Sequence, residues 1–356
     1  MVDSLLAKPK AAFYGNNSHR IGAGHIMRLY ALAEAAANQF DIWFVYKTCS
    51  EALLSKLKRA NFNLLKIPSK LTASELQQHK FDTIIVDDYE LTDDEWHHLA
   101  STGSYLVKLD DALDDDPILA DLIVNPAPNC TQTEYQNRAP HANYCLGPEF
   151  TYLRREFITS DFTPLLERPN LLLSLGGTDT KSLALPLSKA LLKSLNHCQI
   201  QLLLGKPHQD QKPLEALARK HEYFSLICDP QSVAEVMMQS GLAISAAGGT
   251  LGELASQGVP TLALVTVDNQ LPALTSHLNN TWYQAMDCRH YEQSEPESKS
   301  NLELINEIAT QAYALWHNKC CRQLMSDKAR QLIDGQGCQR IIDRLVMGLE
   351  EKSKHQ

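Results

Sequence analysis

The sequence is poor in positive charge, in long apolar runs and in paired cysteines, and each shortage removes a class of function. Its 33 Lys and Arg are outnumbered by 42 Asp and Glu, leaving a formal net charge of -9. Nucleic acid and anionic membrane surfaces are held by clustered cations. Neither partner is therefore expected, and an anionic ligand has to be met by a local device. No stretch approaches the roughly 18 uninterrupted apolar residues of a membrane span. The opening MVDSLLAKPKAAFYG carries too short an apolar run for a secretory h-region. The expectation is a cytoplasmic protein. Nine cysteines form no CxxC pair and no even framework, which suits reduced thiols better than disulfides or zinc.

What the chain does have is material for two cores: 356 residues, 44% of them hydrophobic, where a mean domain is shorter. From residue 11 short apolar runs alternate with segments of helical period. AAFY is followed by a helix over 25–38, DIWFVY by one over 51–60, NLLKI by one over 72–80, and DTIIVD by one near 93–101, with SYLVKLD and DLIVN closing the series. Thr92 to Glu95 reads as a capping box at the head of the fourth helix. After a stretch rich in Pro and Tyr (126–168), a second series begins with NLLLSL, QIQLLL, FSLICD, GLAISA and PTLALV, again separated by helices. Continuous apolar strands alternating with helices signal a parallel sheet covered on both faces. The expected fold class is α/β with two Rossmann-like domains, 1–150 and 168–335, facing across a cleft. A C-terminal helix over 336–356 would pack back on the first domain.

Ligands of open α/β sheets sit at the carboxyl ends of the strands, so five loops there matter. IGAGHIMR (21–28) offers Gly22 and Gly24, whose backbone can approach a ligand closely, and His25 in the first helical turn. A neutral histidine there can take a proton from water. A histidine that merely caps a helix would read the same way. SLGGTD (174–179) offers Gly176, Gly177 and Thr178 for a phosphate, or simply a strand-to-helix turn. SAAGGTLGEL puts Gly248, Gly249 and Thr250 at a helix start, with Glu253 one turn in to meet ribose hydroxyls. Asn269 and Gln270 of TVDNQ could bond a sugar or a uracil. VDDYE (86–90) and KLDDALDDD (108–116) bring carboxylates, with Tyr89 adding a hydroxyl and a stacking face and Asp114 to Asp116 reading as a solvated run. Each loop has an ordinary structural explanation, and it is their shared position that describes a nucleotide-sugar enzyme.

In this order IGAGHIMR, VDDYELTDDEW, KLDD, DLIVNP, YCLGPEFTYLRREF, LSLGGTDTKSL, SAAGGTLGEL and DNQ, within residues 13–270, resemble the UDP-sugar hydrolases of pseudaminic acid biosynthesis. That family is similar in fold to the two-domain GT-B glycosyltransferases. The resemblance implies hydrolysis of UDP-2,4-diacetamido-2,4,6-trideoxy-β-L-altropyranose by water attack at the anomeric carbon, with inversion. His25 would be the general base, and Asp88 and Tyr89 would stand on the sugar side of the catalytic site. Gly22, Gly24, Arg28, Gly176, Gly177, Thr178, Gly248, Gly249, Thr250, Glu253, Asn269 and Gln270 would bind the UDP-sugar. No metal and no cofactor is implied. Four positions depart from the family pattern: Tyr14 and Asn16 stand where Arg and Asp are usual, Asp88 where His or Ser is usual, and Ser182 where Asn is usual. Two other readings use the same loops: a glycosyltransferase with a UDP-sugar donor, and a non-catalytic nucleotide-sugar-binding protein.

Overall fold

The computed structural model describes residues 7–16, 24–68, 73–111, 116–128, 130–158, 163–176, 179, 181–205, 209–276 and 282–355. The chain divides into two compact units, Met1–Arg155 with Gln336–Gln356, and Glu156–Gly335.

The first unit opens with β1 (Lys10–Gly15), α1 (Gly24–Ala36), β2 (Asp41–Tyr46), α2 (Glu51–Arg59), β3 (Asn63–Lys66) and α3 (Ala73–Gln77). It continues with β4 (Thr83–Asp87), α4 (Asp93–Ala100), β5 (Tyr105–Leu109), β6 (Leu122–Asn125), α5 (Gln132–Tyr135) and β7 (Asn143–Leu146). The sheet is parallel throughout, in the order β3-β2-β1-β4-β5-β6-β7. Central strands β1, β4 and β6 are buried along nearly their whole length, as strands covered by helices on both faces must be. One face packs Phe13, Phe44, Ile85 and Val107 against Leu29 and Leu32 of α1. The other packs Ala12, Tyr14, Ile84 and Val86 against Leu76 and Leu99. The head of α4 carries the capping box, Thr92 Oγ1 accepting from Glu95 N and the Glu95 carboxylate from Thr92 N.

The second unit follows the same plan: β8 (Asn170–Ser174), α6 (Ala184–Ser194), β9 (Gln199–Leu204), α7 (Gln211–Lys220), β10 (Phe224–Cys228) and α8 (Val233–Met238). Then come β11 (Ser240–Ala246), α9 (Thr250–Ser256), β12 (Thr261–Val265), α10 (Pro272–Ser276), β13 (Tyr283–Asp287), α11 (Lys299–His317) and α12 (Lys319–Leu332). Its parallel sheet runs β10-β9-β8-β11-β12-β13. Both sheets therefore have the doubly wound order, which reverses between β1 and β4 in one and between β8 and β11 in the other.

Helix α13 (Gly337–His355) belongs to the first unit, where Cys338, Ile341, Ile342 and Leu345 join the core beside α1. Two glycines seat it. A Cβ on Gly337 would collide with the backbone of Thr151, and one on Gly348 with the Tyr105 ring. Among the described residues, no helix is long and apolar enough to cross a membrane. Two strands escaped the sequence reading. NYCL of β7 is four residues inside the Pro/Tyr stretch, and YQAMD of β13 is an edge strand without a continuous apolar run.

Candidate active site

In a doubly wound sheet the strand order reverses at one point, and the loops there splay apart to leave a crevice at the carboxyl ends. In the first unit that point lies between β1 and β4, where Gly15 pairs with Asp87. A Cβ on Gly15 would meet Leu29 at 2.6 Å and the Asp87 carbonyl at 3.1 Å, so glycine is what lets α1 lie this close to the strands. His25, in the first turn of α1, thereby reaches the end of β4.

The imidazole of His25 lies 2.5 Å from Asp87, Nδ1 to Oδ1. An ionised carboxylate only accepts, so Nδ1 carries the proton, and in the neutral ring the lone pair lies on Nε2. Asp87 is 1% exposed. Burial opposes its ionisation, but the Arg28 guanidinium and the bond from His25 outweigh it and hold the carboxyl below its ordinary range. Arg28 takes both oxygens of Asp87, Nε to Oδ2 at 2.8 Å and Nη2 to Oδ1 at 2.7 Å. Its remaining Nη1 donates to Asp111 Oδ2 at 2.6 Å. Asp111 in turn accepts from the Tyr89 hydroxyl. The Tyr89 ring is half exposed and stands edge-on to His25, centroids 4.5 Å apart. Burial of the hydroxyl and the charge of Asp111 push its ionisation well above the ordinary range, so Tyr89 is a neutral donor.

The structure gives several residues singled out in the sequence contacts of their own. The acidic partner of His25 is Asp87, while Asp88 is engaged elsewhere, accepting from Asn16 Nδ2 at 2.6 Å and from the Glu90 amide at 2.8 Å. Asn16 closes the same cluster by accepting from the amides of Lys47 and Thr48. Two departures from the family pattern, at 16 and 88, are thus one hydrogen-bonded pair. Tyr14, another departure from the family pattern, is fully buried in the core. Arg28, expected on the substrate, is occupied by two carboxylates. Gly24 is described at the start of α1, with open space where its Cβ would be. Gly22, Gly177 and Thr178 lie outside the described residues.

The second unit brings its own glycine loops to the reversal between β8 and β11. Gly176, two residues past β8, has φ +81, a conformation that favours glycine. Asp179 caps α6 by accepting from the amides of Leu183 and Ala184. Ser182 adopts φ +55, where Asn or Gly is the more comfortable residue. After β11, Gly248 and Gly249 lead into α9, which starts at Thr250 and carries Glu253 in its first turn. Gln270 is drawn to this loop, its Nε2 3.6 Å from where a Gly248 Cβ would be, while its Oε1 accepts from the Thr266 amide at 2.9 Å. Asn269 is exposed beside it. Sequence reasoning passed over Arg289, which bridges Asp287 and Asp268 and so braces the 268–270 turn. Among the described residues no group of three or more His, Cys, Asp or Glu is placed to hold a metal ion.

No family model matches the chain. A UDP-2,4-diacetamido-2,4,6-trideoxy-β-L-altropyranose hydrolase of Campylobacter jejuni subsp. jejuni is 24% identical over 263 residues, which cover 73% of this chain and 93% of that protein. This chain resembles that hydrolase family. Spore coat polysaccharide biosynthesis protein SpsG of Bacillus subtilis is also 24% identical, over 272 residues covering 72% of this chain and 77% of its own length. Among solved structures, Acinetobacter baumannii MurG superposes with a TM-score of 0.61 at 15% identity over 94% of this chain and 98% of its own. LpCGTa in complex with UDP superposes with a TM-score of 0.69 at 14% identity, over 96% and 99%. These superpositions establish the fold, α/β with the two parallel-sheet units of GT-B glycosyltransferases.

Proposed function

We propose that this chain hydrolyses a UDP-linked 2,4-diacetamido-2,4,6-trideoxy sugar, releasing UDP and the free sugar. The observation that carries the reading is the His25–Asp87 contact of 2.5 Å at the strand-order reversal. A buried carboxylate that fixes the Nδ1–H tautomer aims the other imidazole nitrogen as a base. In the step proposed, Nε2 takes a proton as the water oxygen bonds to the anomeric carbon. The bond from that carbon to the diphosphate oxygen breaks, its electron pair leaves with UDP, and configuration inverts. Tyr89, a neutral hydroxyl beside His25, would stand against the sugar. In the second unit the Gly248–Thr250 turn would meet the diphosphate, Glu253 the ribose, and Asn269 and Gln270 the sugar or diphosphate. The name of the Campylobacter jejuni relative supports the substrate, and the UDP held by LpCGTa supports the nucleotide.

The test is UDP release from UDP-2,4-diacetamido-2,4,6-trideoxy-β-L-altropyranose with no acceptor alcohol present. Wild-type protein should turn over, and His25→Ala should lose about 10²-fold or more in kcat. Turnover only when an acceptor is supplied would make the chain a transferase, and UDP binding without any turnover would make it a binding protein.

A further inference from the structure

Among the described residues, Arg28 is the one cation that touches both acidic members of the His25 cluster, Asp87 and Asp111. Its three donor nitrogens are committed to Asp87 and Asp111, with the fork closed on both oxygens of Asp87. Nη2 also lies 3.2 Å from His25 Nδ1. Because that nitrogen already donates to Asp87, the Arg28 contact there is a charge placed beside the ring and not a hydrogen bond. A guanidinium this fully used has no fork left for a diphosphate.

We propose that Arg28 is a positioning residue that keeps His25 a neutral base, by closing the charge of Asp87 that would otherwise draw a second proton onto the imidazole. The groups facing His25 among the described residues are Asp87 at the end of β4, Arg28 on its own helix, and Tyr89 and Asp111 from the neighbouring loops. Tyr152, whose ionisation is pushed up by burial and by the nearby acids against the pull of Arg28, stays neutral. With Arg28 present, Asp87 and Arg28 cancel, and Asp111 is satisfied by Arg28 and Tyr89. Without it, a buried carboxylate faces His25 alone, and an adjacent uncompensated anion stabilises imidazolium. Imidazolium cannot accept the proton of water. Asp111 extends the device, since the guanidinium that holds Asp87 also fixes the acid that holds Tyr89 against the His25 ring.

This inference rests on the hydrolase reading only for its kinetic arm. The measurement is the protonation midpoint of His25 followed by 15N imidazole resonances in the full chain, alongside kcat and KM for UDP release as a function of pH. In Arg28→Gln the midpoint should rise by at least about one pH unit, which is tenfold in the protonation equilibrium. Accordingly kcat should fall, by up to about tenfold at pH values below both midpoints, recover at higher pH, and leave KM unchanged. In Arg28→Lys, which keeps the charge and loses the fork, the midpoint should stay near the wild-type value with KM again unchanged. That variant carries the test if Arg28→Gln does not fold, as does the double variant Arg28→Gln/Asp87→Asn, whose midpoint should sit at or below the wild-type one. An unmoved midpoint in Arg28→Gln, a raised one in the double variant, or a tenfold rise in KM for Arg28→Lys at constant kcat would overturn the proposal. A wild-type protein that releases no UDP, but whose His25 midpoint still moves in Arg28→Gln, would sink the hydrolase reading and leave the role of Arg28 standing.

Discussion

Asp87 serves two partners at once, and that makes it sensitive to acid. Its carboxyl is held below the ordinary value near 3.9 because Arg28 and His25 outweigh the burial that opposes ionisation. A depressed carboxyl stabilises the folded state fully above its ordinary value, and that contribution fades as pH falls through the folded one. Replacing Asp87 by Asn should therefore cost about 1.5–3 kcal/mol at pH 7, since it removes a buried charged acceptor from His25 and from the Arg28 fork while Arg28 keeps Asp111. The gap from wild type should narrow as the pH drops from 5 toward 3, and urea titrations at a series of pH values would show it. A gap of constant size would mean that Asp87 acts only through its shape. At this scale the sequence was informative about His25 and silent about Asp87, since VDDYE offers two adjacent carboxylates and nothing local tells which one ends the strand facing α1.

Secondary elements were the most legible feature, because buried parallel strands announce themselves as unbroken apolar runs. LLLS, TLALV and similar stretches needed no tertiary knowledge, whereas β13 became a strand only because β12 supplies a partner for Tyr283 to Asp287. The seat of α13 was equally hidden. Its Gly348 looks like an ordinary weak point in a helix, where alanine gains up to about 1 kcal/mol. Here the added Cβ would lie 2.2 Å from the Tyr105 hydroxyl. Gly348→Ala should therefore destabilise the protein by about 1–3 kcal/mol, the usual cost of overpacking, and a raised melting temperature would show that the helix can slide away from β5.

For the molecule as a whole, the two units would take different shares of the proposed chemistry, the first supplying the base and the second the nucleotide loops. Their stabilities are separable in the same way. Fully burying a side chain such as Ile341, Ile342 or Leu345 stabilises by roughly 1.5–3 kcal/mol, so together these three approach the 5–15 kcal/mol that holds an average domain. A chain ending at Gly335 should lose the unfolding transition of the first unit in calorimetry and keep that of the second, Glu156–Gly335. Retention of both would mean that α13 is ornamental. The division into two α/β units could be read from the repeated strand pattern, but the ownership of α13 depends on contacts more than 180 residues apart, such as Cys338 Sγ to the Leu153 carbonyl.

The return of α13 also sets an order of events during synthesis. Domains generally fold as units from the amino terminus while the ribosome adds about 5–20 residues per second. In this chain the strands that emerge first have no complete core until a helix about 190 residues after β7 has followed them out. Glu156–Gly335 will have left the ribosome whole by then, so the second half of the chain is finished before the first. The half that carries His25 spends the interval with an open apolar face, and it is there that a chaperone would find its binding site.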